Sequence, residues 1–445
     1  MFIDYLDRAI LAIDNFGAEY LWGYGALFCI LSLGTLLSHK ANWFQITQIK
    51  HIFRLFKESL RQPKTDGIGT RPLHIFFTSL GGCVGIGNLA TVAMAAQIGG
   101  PGALFWVWVV AFIGMILKYS EVYLALTHRF LDKENKKFMG GSMYFVAKAF
   151  PKFKALPYIT ALLMAIYSIE FYSFNIIKDS FVSNFHVNPT IFALTMIISI
   201  FYAIRGGIER VGRINTVILP IFVVLYLGMT AYILTQCSDQ ILPLLKTIFY
   251  SAWNGHAAAT GFAGATMLIA LSRGASAAAF SGDIGVGYNS LIHIETQSTK
   301  PAQQASLALM SIFLDTILIC STTMVLVLIT GVWKTNADSA LLVQNALSLH
   351  FPYMEYFMPF MIFILGYSTI ISYLLSGLPT AEFLAPKNGK KIFFVIAALS
   401  FFFFSFFKAE YAFAITSLAG GLLLYIHIAA IYRLRHEVQY DLKNA

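Results

Sequence analysis

Residues 81–88 read Gly-Gly-Cys-Val-Gly-Ile-Gly-Asn and lie inside an apolar stretch long enough to cross a bilayer. Glycine costs a helix interior up to about 1 kcal/mol relative to alanine. Four glycines within seven residues therefore predict an unwound helix. In hydrocarbon, unwound backbone is tolerated only where protein buries it or where it lines a polar cavity. Two kinds of chemistry follow. N–H groups beside a half-helix N-terminus favour a carboxylate. Carbonyls freed on the other half can ligate a hard cation such as Na⁺. Gly82, Gly85, Gly87 and Asn88 are thus candidate substrate-binding residues, with Asn88 either orienting the ligand or capping the following half-helix. Tight packing through small residues is the competing explanation; it accounts for scattered Gly and Ala better than for this run.

Other polar residues fall where hydrocarbon is expected. Lys118 and Glu121 stand i, i+3 towards one end of a span, a spacing that lowers the cost of both charges and suits a structural or gate pair. Glu170 and Asp315 are intramembrane carboxylates, which carry a functional expectation by default. Glu170 would bind a cation, a proton or a substrate amine, or else pair with a buried lysine or a helix dipole. Asp315 fits direct ligation or a structural hydrogen-bond network. Ser368 and Thr369 are adjacent hydroxyls that bind a cation or bond their own i−4 carbonyls. Phe171, Phe174, Phe262 and Tyr373 are candidate walls of a small side-chain pocket, and His256 lies near a second Gly-rich stretch.

The elements that must position these groups belong to an all-α integral membrane protein. Hydrophobic residues make up 58% of the 445 and charged residues 12%, against roughly 45–50% and 25% in soluble proteins. Mean hydropathy is +0.69. Apolar runs place eleven spans, near residues 18–36, 72–98, 102–127, 157–177, 189–204, 214–235, 252–272, 303–332, 355–378, 392–407 and 411–432. Charge supports the map. Alternate loops and the tail hold 25 of the 31 Lys and Arg, the opposite side holds five, and only Lys118 lies within a span. The positive-inside rule then puts the C-terminus in the cytoplasm and the N-terminus outside, in a multi-pass cell-membrane protein. In that map Arg273 and Lys300 bracket a cytoplasmic segment, 273–302. Residues 40–62 alternate apolar and basic side chains and read as a helix on the inner membrane face or packed on the bundle.

The N-terminus, MFIDYLDRAI, lacks the basic region of a cleavable signal peptide. Cys29, Cys83, Cys237 and Cys320 have no metal or disulfide spacing. The net charge of +9 follows topology and calls for no nucleic acid. No Walker A pattern is present, and no His-E-x-x-His or Ser/His constellation supports an intramembrane enzyme. A channel needs a hydrophilic lining that these spans lack. The span 252–272 contains Asn254 to Gly264, also Gly-rich, and interrupted segments in matching positions mark the substrate site of inverted-repeat transporters. The expected organisation is an extra helix with the amphipathic segment (1–71), two five-helix repeats (72–235 and 252–432) and a tail (433–445).

Gly81 to Ala125 resembles the signature of the alanine/glycine:cation symporters, a G-x-V-G-x-G-N-I run followed by GGPGA, FW-W and KxxE. Gly140 to Tyr144 is similar to that family's GGPMYY with Ser142 in place of proline. Asp315-Thr316 with Cys320 resembles D-T-x-x-x-C, and Phe363 to Gly377 resembles its aromatic-S-T-I-x-x-W segment with Tyr373 where tryptophan is usual. The resemblance spans about 72–432. It implies a leucine-transporter type fold of five plus five helices, and cation-coupled import of small neutral amino acids, alanine or glycine, with Na⁺ the expected coupling ion and no other cofactor. It also implies a sodium site formed by first-helix carbonyls, Gly81 and Val84, with Ser368 and Thr369. Where the family has Asn-Glu in R-G-L-F-S-N-E-A-G-L-G, this chain has Gly282-Asp283, a carboxylate one methylene shorter. A different amino acid or H⁺ coupling is the alternative that this departure raises.

Overall fold

The computed structural model describes residues 16–442 apart from 66, 135, 255–266 and 336. Helices carry nearly all of it, as they must where the solvent offers no hydrogen bonds. In chain order they are α1 (Ala26–Lys40), α2 (Ile49–Arg61), α3 (Pro72–Cys83), α4 (Ala90–Gly99), α5 (Gly102–Thr127), α6 (Leu156–Tyr167), α7 (Phe171–Phe185), α8 (Pro189–Ile204), α9 (Gly207–Gln236) and α10 (Ser238–Asn254). There follow α11 (Met267–Ser281), α12 (Tyr288–His293), α13 (Pro301–Ile312), α14 (Ser321–Ile329), α15 (Met354–Leu384), α16 (Gly389–Phe404) and α17 (Ala409–Leu434). A hairpin of β1 (Phe130–Asp132) and β2 (Lys137–Met139) lies at the basic end.

Among the described residues, seven helical stretches are long and apolar enough to cross a membrane, or eight if the bent pair α3/α4 counts as one. That is fewer than eleven. Three expected spans are not among them: α8 and α16 have 16 residues each, about 24 Å at 1.5 Å per residue against roughly 30 Å of hydrocarbon, and most of 252–272 lies outside the described residues.

The α3/α4 pair bends by 53° at its glycine run. Residues 255–266, including His256 and Phe262, lie outside the described residues, and α10 already covers 238–254. From Met267 a helix runs through Arg273 to Ser281, so the segment 273–302 begins within a helix. The interruption falls at Gly282–Gly287, where Asp283, Gly285 and Gly287 all take positive φ (48°, 77° and 103°). The run Gly274-Ala-Ser-Ala-Ala-Ala lies within α11. Small size is what lets α11 pack closely on α5: a side chain at Gly274 would run into the Ala103 carbonyl.

Helices α5 and α15 form the spine. Ile116, Leu117, Tyr119, Val122 and Leu124 on α5 and Leu365, Ile370, Ile371 and Leu374 on α15 are fully buried. The extra helix is tied to α17 by Trp22, whose indole N–H donates to Ser417 O at 2.8 Å. Helix α2 serves both readings of its pattern: Ile52 and Leu55 are buried on the bundle, while Ile49 and Phe53 are exposed.

Gly82 packs so closely on the Tyr288 ring that a Cβ would overlap it. Gly82→Ala is expected to lose about 1–3 kcal/mol of stability, read as a lower melting temperature in detergent.

Candidate functional site

The first break is built by its own side chains. Helix α3 ends at Cys83, and Val84 and Gly85 are extended (ψ 92°; φ −137°, ψ −165°) before a single 3₁₀ turn, Ile86–Asn88. Asn88 Oδ1 accepts the Gly85 N–H at 2.8 Å, and the Asn88 N–H returns to Gly85 O at 3.2 Å. Its Nδ2 donates to Asp315 Oδ1 at 2.6 Å. The Asp315 carboxylate also accepts from Ser281 Oγ (3.3 Å) and Thr316 Oγ1 (2.8 Å). Asp315 thus holds the C-terminal part of the first break, where α4 begins, against the last residue of α11. Of the two roles open to Asn88, capping is the one the geometry shows.

The second break is held from α5. Lys118 Nζ donates to Gly282 O at 2.7 Å and contacts Cys83 Sγ at 3.2 Å. Glu121 Oε1 accepts the Ser290 N–H at 3.2 Å, in the first turn of α12. The two charges do not pair with each other as their spacing suggested. The ammonium sits at the carbonyl end of α11 and the carboxylate at the N–H end of α12, which matches the sign of each half-helix dipole. Both side chains are fully buried. Asp283 accepts from the Tyr167 hydroxyl at 2.8 Å and from the Tyr373 hydroxyl, with Cys83 Sγ at 3.8 Å. Two of the three departures from the resembled motifs therefore touch: Tyr373, where tryptophan is usual, bonds Asp283, where glutamate is usual.

Gly81 O accepts from Ser368 Oγ at 3.0 Å and Thr369 Oγ1 at 3.2 Å; Thr369 also bonds Leu365 O at 3.0 Å. Of the two roles read in the sequence, the Thr369 hydroxyl makes the bond to its own i−4 carbonyl and adds one to the carbonyl at the end of α3. Val84 is fully buried three residues further on. Thr369 Oγ1 lies 2.5 Å from where a Gly85 Cβ would stand, so only glycine fits there.

Between the breaks lies a cavity of about 40 Å³ lined by Gly82, Gly85, Gly87, Glu170, Thr369 and Tyr373. Glu170 is not in mid-helix: it occupies the junction of α6 and α7, and Ser173 Oγ donates to its Oε2 at 3.0 Å. Towards the basic end, Tyr373 stacks on Tyr288 with centroids 4.3 Å apart, and beyond them a cavity of about 170 Å³ is lined by Leu291, Leu375, Glu295 and Glu382. At the other end Phe413 packs edge-on against Phe280 (5.3 Å) and tilted against Tyr172 (5.0 Å), below a cavity of about 160 Å³.

Phe171 and Phe174 do not wall the pocket. They stack on Phe404 and Phe401, at 4.6 and 4.9 Å. The helix restarts at Phe171, and its phase turns Tyr172 and Ser173 inward instead. Sequence reasoning missed Tyr167, Ser281 and Tyr288. Only Tyr288, directly after the second glycine run, carried a local signal.

Paired half-helices around a central polar cavity, with closed aromatic layers and open space above and below, define a secondary transporter. A family model described as the sodium:alanine symporter family matches residues 8–444, and the chain belongs to that family. It is a multi-pass membrane symporter and not an enzyme. It is 29% identical over 403 residues to the sodium/alanine symporter AgcS of Methanococcus maripaludis, covering 87% of each chain. It is 26% identical to the probable sodium/glutamine symporter GlnT of Bacillus subtilis, covering 98% of this chain and 90% of that one. Among solved structures, a substrate-bound, outward-open Na⁺-coupled sialic acid symporter aligns with a TM-score of 0.54 at 12% identity, over 93% and 87% of the two chains. Its neighbours share the leucine-transporter type fold.

Asp315→Asn and Asn88→Ala both cut the same link between the breaks. Each is expected to reduce uptake in proteoliposomes at least tenfold, and the double variant to lose little more than either, the non-additivity of a shared interaction.

Proposed function

We propose that the protein imports a small neutral amino acid, alanine or glycine, together with Na⁺ by alternating access. The observation that carries this is the central cavity. With one water needing about 10–15 Å³ on this measure, about 40 Å³ admits roughly three waters' worth of solute, and its walls suit a zwitterion. Gly85 N–H is taken by Asn88, so the Ile86 and Gly87 N–H groups at the start of the following turn are the donors for the substrate carboxylate. Across the cavity, the Glu170 carboxylate receives the substrate ammonium. Gly81 O, Val84 O, Ser368 and Thr369 supply neutral hard oxygens suited to Na⁺. Similarity to the sodium/alanine symporter AgcS and the probable sodium/glutamine symporter GlnT supports an amino acid with sodium; the size of the cavity favours the smaller substrate.

Two five-helix halves, 72–235 and 252–432, would rock against each other. Helix α11 with α12 is then the counterpart of α3 with α4 in the second half. Substrate and ion would enter past Phe413 and leave past the Tyr288–Tyr373 stack towards the basic, cytoplasmic end, with the N-terminus outside.

Alanine uptake into proteoliposomes is expected to be saturable, to follow an imposed Na⁺ gradient and to vanish when K⁺ replaces Na⁺. Gradient-independent, non-saturable alanine flux would overturn symport; drive by a proton gradient alone would replace the ion. Glu170→Gln is expected to weaken apparent alanine affinity by roughly tenfold or more, the worth of one charged hydrogen bond. Ser368→Ala should instead raise the Na⁺ concentration needed for half-maximal uptake.

A cysteine placed at Lys136 should react with an impermeant maleimide only after the cytoplasmic side is opened.

A further inference from the structure

We infer that Lys118 is a fixed internal cation for the second broken helix, so that the protein carries a single mobile cation, the one at Gly81, Ser368 and Thr369. This rests on the symport reading above. Each interrupted helix leaves a carbonyl end with partial negative charge, and such ends ligate cations in transporters of this kind. The two ends here are equipped differently. Around Gly81 O stand only the neutral hydroxyls of Ser368 and Thr369, which a metal cation can share. Gly282 O instead holds the Lys118 ammonium at 2.7 Å. The same ammonium reaches Cys83 Sγ at 3.2 Å, on the last residue of α3, so one charge bridges the carbonyl ends of both half-helices.

Nothing about this ammonium is incidental. Lys118 has no exposure to solvent, and a buried charge persists only when paired and hydrogen-bonded. Its counter-charge is at hand: Asp283 follows Gly282 in the chain, and its carboxylate is fixed by the Tyr167 and Tyr373 hydroxyls and faces the Cys83 thiol. The second break thus has its own cation and its own carboxylate. A second Na⁺ at Gly282 O would sit against a fixed like charge, with the oxygen already taken. The i, i+3 spacing of Lys118 and Glu121 has the same origin. One turn of α5 spans the gap between the end of α11 and the start of α12, and the two side chains serve one end each.

Equilibrium ²²Na⁺ binding to the purified full-length protein tests this without transport. The expected result is one Na⁺ per chain at saturation, falling to none in Ser368→Ala at concentrations that saturate the wild type. Lys118→Met should bind two, because the vacated carbonyl and Asp283 then offer a second site. Two Na⁺ per wild-type chain would overturn the inference, as would a folded Lys118→Met that binds one with unchanged affinity. If Lys118→Met does not fold, the wild-type count decides alone. One bound Na⁺ without Na⁺-driven alanine uptake would sink the proposed transport reaction and leave the role of Lys118 standing; no bound Na⁺ would sink the cation cradle and this inference together.

Discussion

Backbone hydrogen bonding in a medium without water is the constraint on which the rest of this structure depends. A continuous helix satisfies it automatically; a broken one does not. Among the described residues two glycine-rich breaks, at Val84–Gly85 and at Gly282–Gly287, stand beside the interruption before Phe171, and their freed groups need partners outside the regular helix. The partners are specific. Asn88 closes the first break on itself, Ser368 and Thr369 take the Gly81 carbonyl, and Lys118 and Glu121 take the two ends of the second. A transport site is what remains when these demands are met and a few groups are left for a solute.

The charges at the site follow from that bookkeeping. Lysine at a carbonyl end and glutamate at an N–H end each oppose a half-helix dipole, so the second break is electrostatically settled before any ligand arrives. The first break is not settled in this way, because its carbonyl meets only hydroxyls. Asp315 then couples the two, since its single carboxylate accepts from Asn88 on one side and Ser281 on the other. Anything that moves one break is felt at the second.

The chain's departures from its family pattern make sense as one local change. Asp283 is shorter than the usual glutamate, and Tyr373 carries a hydroxyl that tryptophan lacks. The hydroxyl reaches the shortened carboxylate, and Tyr167 reaches it from the other side. Tyr373 also stacks on Tyr288, so the same residue closes the cavity towards the basic end and holds the altered acid. Altered chemistry and gate are parts of one cluster.

The sequence by itself determined the medium, the first break and the family. Composition and the alternation of basic loops identify a membrane protein, and a dense glycine run has few meanings inside an apolar span. It also picked out Lys118, Glu121, Glu170, Asp283 and Asp315, which all lie at or beside the two breaks or the cavity between them. What it could not provide was partnership and phase. Lys118 and Glu121 looked like a pair because sequence spacing sees only one helix, whereas their partners are more than 160 residues away on two others. The glycines of 254–264, read as a second interruption, lie almost wholly outside the described residues, whereas positive φ at Asp283, Gly285 and Gly287 marks an interruption further along. Phe171 and Phe174 were assigned to the pocket on the premise of one continuous helix. The interruption before Phe171 resets the phase and turns Tyr172 and Ser173 inward. These points depend on which backbone atoms lack a partner after folding, and only the packed bundle decides that.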